Sequence, residues 1–410
     1  MTTRVLFIDH TAKLGGGEIF LLNLLPELAG HISPVVILLE DGPLRLELEQ
    51  RNIEVHVFEV SADLVASRRD SLACLSKVIV KRGLTSVNTA VQLSRLISSL
   101  RVDIVHTNSL KACIIGGIAS RLARKPLIWH IHDRISEEYL PKAIVKLIRV
   151  LIRVMPHAVI ANSEATLGTL NLRDTKQNVV VYPGAVVCES VPDLLNGKSN
   201  RIGIIGRLSH WKGQHIFLEV AARVLQKHPN TEWVIVGSAL FGEDEYCQQL
   251  KDRASRNDLA GHITFRGFQS DVVTEMCNLD IVMHCSILPE PFGQVITEAM
   301  ALAKPVIASK AGGVLEIIED KKSGILVEIG DIQGNVDAVT TLLEDRNTAN
   351  YLGKMGRARV LEHFTIQKSA NAALDLYKSI SPTTFQSTAA MGSSSRWKCL
   401  PRRTSLEERG

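Results

Sequence analysis

The chain has 410 residues, 45% of them apolar and 22% charged, with a formal net charge of +4. This is a globular composition, long enough for two domains and unlike that of a disordered chain, and the charge gives no bulk attraction to nucleic acid. Residues 1–185 carry 22 basic and 17 acidic side chains and residues 186–380 carry 20 and 24, so an anionic partner is expected on the first half.

The seven cysteines (74, 113, 188, 247, 277, 285 and 399) have no Cys-x-x-Cys spacing. They read as neither a zinc site nor a disulfide framework and fit a reducing compartment. A strand is expected from Arg4 to Asp9, which leaves no room for a signal peptide, and no uncharged run reaches the length of a membrane span. A cytoplasmic location is the expectation.

In chain order, Val5–Ile8 is a short apolar run read as a buried first strand, Gly15-Gly16-Gly17 a loop, and Ile19–Leu25 the start of a helix. Strands follow at Pro34–Leu39, Ile53–Phe58, Asp103–His106, Leu127–Ile131, Ala158–Ala161 and Val179–Val181, with helices at Val87–Leu100 and Ile114–Leu122. Residues 186–200 are a polar linker. The alternation restarts with strands at Arg201–Gly206, Trp233–Gly237, Ile263–Phe265, Ile281–Met283 and Val306–Ala308. Such alternation implies α/β architecture, with two doubly wound Rossmann-like domains facing across a cleft at their strand ends. The expected division is 1–185, linker 186–200, 201–365, a helix at 366–380 and a polar tail at 381–410 read as disordered.

Glu290-Pro291-Phe292-Gly293-Gln294 precedes a helical pattern in which Val295, Ile296, Ala299 and Met300 are apolar. The Phe292, Gly293 and Gln294 amides are among its unpaired first-turn donors, which suit a phosphate or a sugar hydroxyl. Glu290 and Glu298 flank that site; on their own they also read as a cap and a surface acid. Arg207 and Lys212, in Gly206-Arg207-Leu208-Ser209-His210-Trp211-Lys212-Gly213, leave a strand end where two cations suit a diphosphate or are solvated loop charges. Gly16 and Gly17 let a backbone approach a phosphate or acceptor. As a dinucleotide fingerprint the run is poor, because Phe20 stands where a third glycine is needed. Glu40, after the second strand, keeps a Rossmann-type NAD-dependent oxidoreductase open. His130 and His132 share one strand face, with His132 nearer the cleft. His106 ends another strand and is an acceptor-site candidate.

Glu290–Ser309, with Ala311-Gly312-Gly313 and Gly324–Val327, resembles the donor site of the family 4 (group 1) retaining glycosyltransferases of GT-B fold, and the likeness extends to about Ile380. One departure is Ala303, where the family often has glycine. The resemblance implies a retaining, metal-independent hexosyltransferase with no cofactor and a UDP- or GDP-hexose as co-substrate. The acceptor would be a glycan or a lipid-linked sugar in polysaccharide or glycolipid synthesis. It implies Arg207 and Lys212 on the diphosphate, Glu298 on the ribose, and Glu290 with the 292–294 amides on the sugar hydroxyls. It further implies His132 near the reacting carbon, with His130 and Asp133 behind it, Gly16 and Gly17 near the donor phosphate, and Gly267 framing the base. A helix that crosses back to the first domain is expected at Gln367–Ile380. The alternatives are the oxidoreductase, a non-catalytic sugar-nucleotide-binding module and an epimerase.

Pro141–Met155 reads as a helix on which Lys142, Lys146, Arg149 and Arg153 fall within an arc of about 60°. This stripe is either a solvated helix edge or a peripheral contact with an anionic membrane at the inner face of the cell.

Overall fold

A computed structural model describes residues 2–60, 83–172, 177–188, 200–239 and 242–381. Cys74, Cys399, Trp397, most of the linker and nearly all of the tail lie outside these residues. The described residues form two all-parallel sheets. The first has the order β3-β2-β1-β4-β5-β6-β7. Its strands are β1 (Arg4–Asp9), β2 (Ser33–Leu38), β3 (Glu54–Val57), β4 (Ile104–Thr107), β5 (Leu127–Ile131), β6 (Ala158–Ala161) and β7 (Gln177–Val180). The second has the order β10-β9-β8-β11-β12-β13, built from β8 (Arg201–Ile205), β9 (Glu232–Val236), β10 (Ile263–Gly267), β11 (Ile281–His284), β12 (Val306–Ser309) and β13 (Ile325–Val327).

Parallel strands need crossover helices, which cover both faces and bury the sheet on each side. The alternation along β1 shows it: Val5 and Phe7 join one core, Leu6 and Ile8 the core on the opposite face. The first-half helices are α1 (Gly16–Leu28), α2 (Pro43–Gln50), α3 (Gly83–Ser99), α4 (Leu110–Leu122), α5 (Lys142–Val154) and α6 (Glu164–Leu170). The second half supplies α7 (Gln214–Val224), α8 (Asp244–Ala254), α9 (Val272–Cys277), α10 (Gln294–Ala301), α11 (Val314–Ile317), α12 (Ile332–Glu344) and α13 (Arg346–His363). The third and fourth helices begin four residues earlier than the apolar periodicity indicates, at Gly83 and Leu110.

The last helix, α14 (Ile366–Ile380), leaves the second half. Its Ile366, Ala370, Ala373, Leu374 and Tyr377 are buried among Phe20, Leu21 and Leu24 of α1 and the β1 face. Ala185 and Ile366 fix the crossing with backbone bonds, Ala185 N to Phe364 O at 2.8 Å and Ile366 N to Ala185 O at 3.0 Å.

Helix α5 alters the basic stripe. Lys142 and Lys146 are exposed, but Arg149 and Arg153 are half-buried and donate to backbone carbonyls. Arg149 reaches Thr169 and Ile135 O, and Arg153 reaches Asn171 O, so both cations serve the carboxyl end of α6. The exposed face carries Leu147, Val150 and Val154, next to exposed Ile118 and Leu122 of α4. Arg121 joins the two helices through Val154 O at 3.4 Å. Among the described residues no helix is long and apolar enough to cross a membrane.

Candidate active site

The site is built at the carboxyl edge of the second sheet, where β8 and β11 end side by side. After β8, a single 3₁₀ turn (His210–Lys212) leads into α7 and points Lys212 across to the loop after β11. Lys212 lies over the Trp211 ring, 4.2 Å from its centroid, and its Nζ meets Glu290 Oε1 at 2.5 Å. Glu290 Oε2 accepts from Ser286 Oγ at 2.8 Å and pairs with His284 Nε2 at 3.3 Å. Burial pushes the Glu290 carboxyl up, but Lys212 and His284 overcome it and hold the group well below the usual range. Glu290 is therefore a buried anion whose Oε1, with Lys212 as its one partner here, keeps a lone pair for a hydroxyl donor.

The following turn is set by glycines. Gly293 (φ 111°) is the N-cap of α10 in a left-handed conformation, and Gly312 (φ 63°) packs on the backbone of Glu290, where a Cβ would collide. Gly313 N donates to Glu290 O at 2.9 Å. Phe292 turns its ring into the core, 5.6 Å from Tyr182 and 5.9 Å from Phe364, so it offers the site only its backbone. On α10, Gln294 Nε2 donates to Glu298 Oε1 at 3.1 Å. Burial pushes the Glu298 carboxyl up to about 7, and the bond from Gln294 opposes it only in part.

The first half closes the opposite wall. A Cβ on Gly16 would lie 3.7 Å from Gln294 Oε1, and one on Gly17 would lie 3.6 Å from the His132 ring. The glycine run and the donor turn are thus neighbours across the cleft. Glu18 holds the run by accepting from Gly15 N at 3.1 Å, and burial pushes its carboxyl upward. Asp9, His10 and Glu18 place ligand-type atoms within 4.8 Å of one another. These atoms already serve the loop: Asp9 binds His10 and Asn108, and Glu18 binds Gly15.

His132 Nε2 meets Asn108 Oδ1 at 3.1 Å, and its ring stacks on His130 with centroids 4.1 Å apart. Burial lowers its pKa, with Asp133 and Asp9 opposing. His130 is buried and continues to His106 Nε2 at 3.1 Å, and His106 Nδ1 reaches Tyr377 Oη at 2.7 Å. The acceptor-site expectation for His106 is corrected here: it is fully buried, faces α14 rather than the cleft, and burial lowers its pKa to about 3.

Two family models cover adjacent parts of the chain. The model of glycosyltransferase family 4 matches residues 14–189 and that of glycosyl transferases group 1 matches residues 189–359. The crystal structure of Anabaena Alr3699/HepE in complex with UDP and glucose is 30% identical, with a TM-score of 0.79, over 92% of this chain and 100% of that one. The chain belongs to the group 1 glycosyltransferases. Spore coat protein SA of Bacillus subtilis is 30% identical over 42% of this chain and 47% of its own length. Thus the chain spans about half of that curated relative. An Escherichia coli protein named UDP-Gal:alpha-D-GlcNAc-diphosphoundecaprenol alpha-1,3-galactosyltransferase is 24% identical over 71% of this chain and 79% of its own.

As a group 1 glycosyltransferase, the chain has the GT-B architecture, and the candidate site residues come from both halves. Glu40, after β2, holds the loop that follows β1: its Oε1 accepts from the Thr11 hydroxyl and from Ala12 N at 3.2 Å. Arg207 leaves β8 beside this site, its carbonyl held by Gln214 Nε2 at 2.9 Å. Gly267 (φ 67°) ends β10 with open space around it and accepts from Gly237 N at 2.8 Å. Ala303 sits at φ 55°, which gives a physical reason for glycine at that position.

Sequence reasoning missed what holds the donor turn from the first half. Ser163 Oγ and Thr166 Oγ1 donate to Pro291 O at 2.5 and 3.2 Å, and Tyr139 Oη donates to Pro289 O. The Glu316 carboxylate accepts from Glu164 N and Ala165 N at 2.9 and 2.8 Å. Ser163 carries a readable cap signal for α6, but nothing local names its second partner.

Proposed function

We propose that this glycosyltransferase moves a hexose from a nucleoside-diphosphate sugar, with retention and without a metal ion, to a glycan or lipid-linked acceptor in polysaccharide or glycolipid synthesis. The observation that carries this reading is the Lys212–Glu290 pair beside the first turn of α10, faced across the cleft by Gly16 and the His132 ring. HepE, crystallised in complex with UDP and glucose and with UDP-glucose, supports UDP as the nucleotide of the donor.

In this reading the diphosphate takes up the charge of Arg207 and Lys212, which stabilise it as the bond to the anomeric carbon breaks. Glu298 accepts from the ribose hydroxyls. Glu290 and the 292–294 amides hold the sugar hydroxyls, and His132 orients the ring. The acceptor oxygen bonds to the anomeric carbon on the face the diphosphate leaves, and its proton passes to a departing phosphate oxygen. The protein's cations take the place of a metal. The test is nucleoside diphosphate release across UDP- and GDP-hexoses, with and without lipid-linked acceptors and chelator. UDP release that survives EDTA supports the reading; tight NAD binding without release, or EDTA inactivation rescued by a divalent ion, defeats it.

The outer face of α4 and α5 supports a peripheral contact with an anionic membrane. Neither helix contains an acidic residue; α5 exposes Lys142, Lys146, Leu147, Val150 and Val154, and α4, joined to its end by Arg121, exposes Ile118 and Leu122. Apolar insertion plus about 1 kcal/mol per lysine suits a headgroup layer. Changing Val150 and Val154 to Asn should abolish sedimentation with anionic liposomes, while changing Arg149 alone should not. Equal negligible binding of the unaltered protein to anionic and neutral liposomes points to a soluble acceptor instead.

A further inference from the structure

Asn108 follows the last residue of β4 and is 2% exposed. Its backbone N–H donates to Ile8 O at 2.9 Å, which sets the side chain between the ends of β1 and β5. The amide nitrogen lies 2.7 Å from Asp9 Oδ2 and 3.3 Å from Gly17 O. Both are acceptors, so turning the amide over would set its oxygen against two other oxygens. Asp9 is itself fully buried and its Oδ1 takes His10 N–H at 2.7 Å. The Asn108 oxygen is therefore the atom that faces His132, and it meets Nε2 at 3.1 Å. An amide oxygen cannot donate, so Nε2 must.

We infer that Asn108 is a positioning residue that fixes His132 as the tautomer protonated on Nε2, leaving Nδ1 as a hydrogen-bond acceptor. The inference rests on the reading of His132 as a group that meets the donor sugar. The ring has little freedom otherwise: it stacks on His130 on one side and packs near Gly17 on the other. A neutral imidazole with one pinned proton can accept from a sugar hydroxyl but cannot also donate on that side. His132 then selects for a hydroxyl, and the selection originates at Asp9, two hydrogen bonds away. Sequence alone hides this chain, because Asp9, Asn108 and His132 come from three different strand ends.

The test is the nitrogen-15 NMR spectrum of the full chain labelled at histidine, with the His132 signals identified by their loss in His132→Gln. The expected spectrum of the unaltered protein has His132 neutral, with the proton on Nε2. In Asn108→Leu the single tautomer should be lost. Turnover should fall by about 10- to 100-fold, as for a displaced positioning group, while the donor KM stays within about threefold. Asn108→Ser, which keeps a short acceptor, should recover part of both signals. A proton on Nδ1 or an even mixture in the unaltered protein overturns the inference, whether or not Asn108→Leu folds. An unchanged tautomer in folded Asn108→Leu overturns it too. If His132→Gln keeps full activity, the sugar-contact reading fails, and the spectrum alone then judges the Asn108 assignment.

Discussion

The turn at Glu290 and the helix face at Glu298 make a controlled comparison, eight residues apart in one segment. Burial pushes both carboxyls upward, yet Glu290 ends well below the usual range and Glu298 ends at about 7. The difference lies in the partner. Glu290 has an ammonium at 2.5 Å, whereas Glu298, among the described residues, accepts from the neutral amide of Gln294. The dipole of α10 does not level them, because Glu298 lies past the first turn, where that field fades. One acid is a permanent anion and the other titrates near neutrality.

Lys212→Ala should break the comparison most strongly. It removes the cation that sets Glu290 and leaves a buried carboxylate uncompensated, an imbalance that costs roughly 3–5 kcal/mol in a fully buried pair. Lys212 is partly exposed, so a smaller loss of stability is expected in denaturant titration. Turnover should fall by about 100-fold or more, and Arg207→Ala should match it in turnover. Activity of either variant within about threefold of the unaltered enzyme would falsify their role on the leaving group.

The pH dependence of donor binding should sharpen the contrast. If ionised Glu298 accepts from ribose, the donor KM should rise as pH falls below about 7, by about tenfold at pH 6, as the competent fraction shrinks. Glu298→Gln should flatten that profile at a higher KM. A KM that is level from pH 8 to pH 6 in the unaltered enzyme removes Glu298 from the ribose.

Stability gives a smaller and opposite signal. A carboxyl whose folded pKa is raised contributes stability that is fully present below its ordinary value of 4.5 and is lost as pH rises through about 7. Glu298→Gln should therefore raise Tm by about 2–4 °C at pH 8 and leave it unchanged at pH 4. The same Tm change at both pH values would mean that its charge is not what burial opposes. The smallest effect is at the far end of α10. Ala303→Gly should stabilise by about 0.5–1 kcal/mol, since alanine is strained at φ 55°. A destabilised variant would show that the Ala303 methyl contributes more than its strain costs.

The two sheets were legible because parallel strands buried on both faces are short apolar runs, and Val5–Ile8 and Val306–Ala308 could be little else. The turn into a helix at Glu290–Glu298 was legible because its Pro, Gly and apolar spacing are local, whereas the Lys212 ammonium that meets Glu290 comes from another strand end. Phe292 was legible only by backbone: whether its ring faces solvent or core depends on Tyr182 and Phe364, far away in sequence. His106 was misassigned because period-two alternation gives its face, but not that α14 covers that face. Arg149 and Arg153 read as a stripe because helical spacing says nothing of the carbonyls of Thr169 and Asn171 within their reach. Ser163, Asn108 and Glu316 share one reason for being missed: each acts on a partner that only the folded chain brings near.

Because Leu374 and Tyr377 belong to the core of the first sheet, that half cannot finish folding when its own residues leave the ribosome. Nearly two hundred residues separate Ala185 from Tyr377, a delay of roughly 10–40 s at ordinary rates of synthesis. Throughout that interval the seat of α14 on α1 and β1 stays uncovered, and His106 lacks the phenol that meets its Nδ1. The nascent amino-terminal half is thus the species that holdase chaperones should meet, and a ribosome stalled before Ile366 should leave it open to protease.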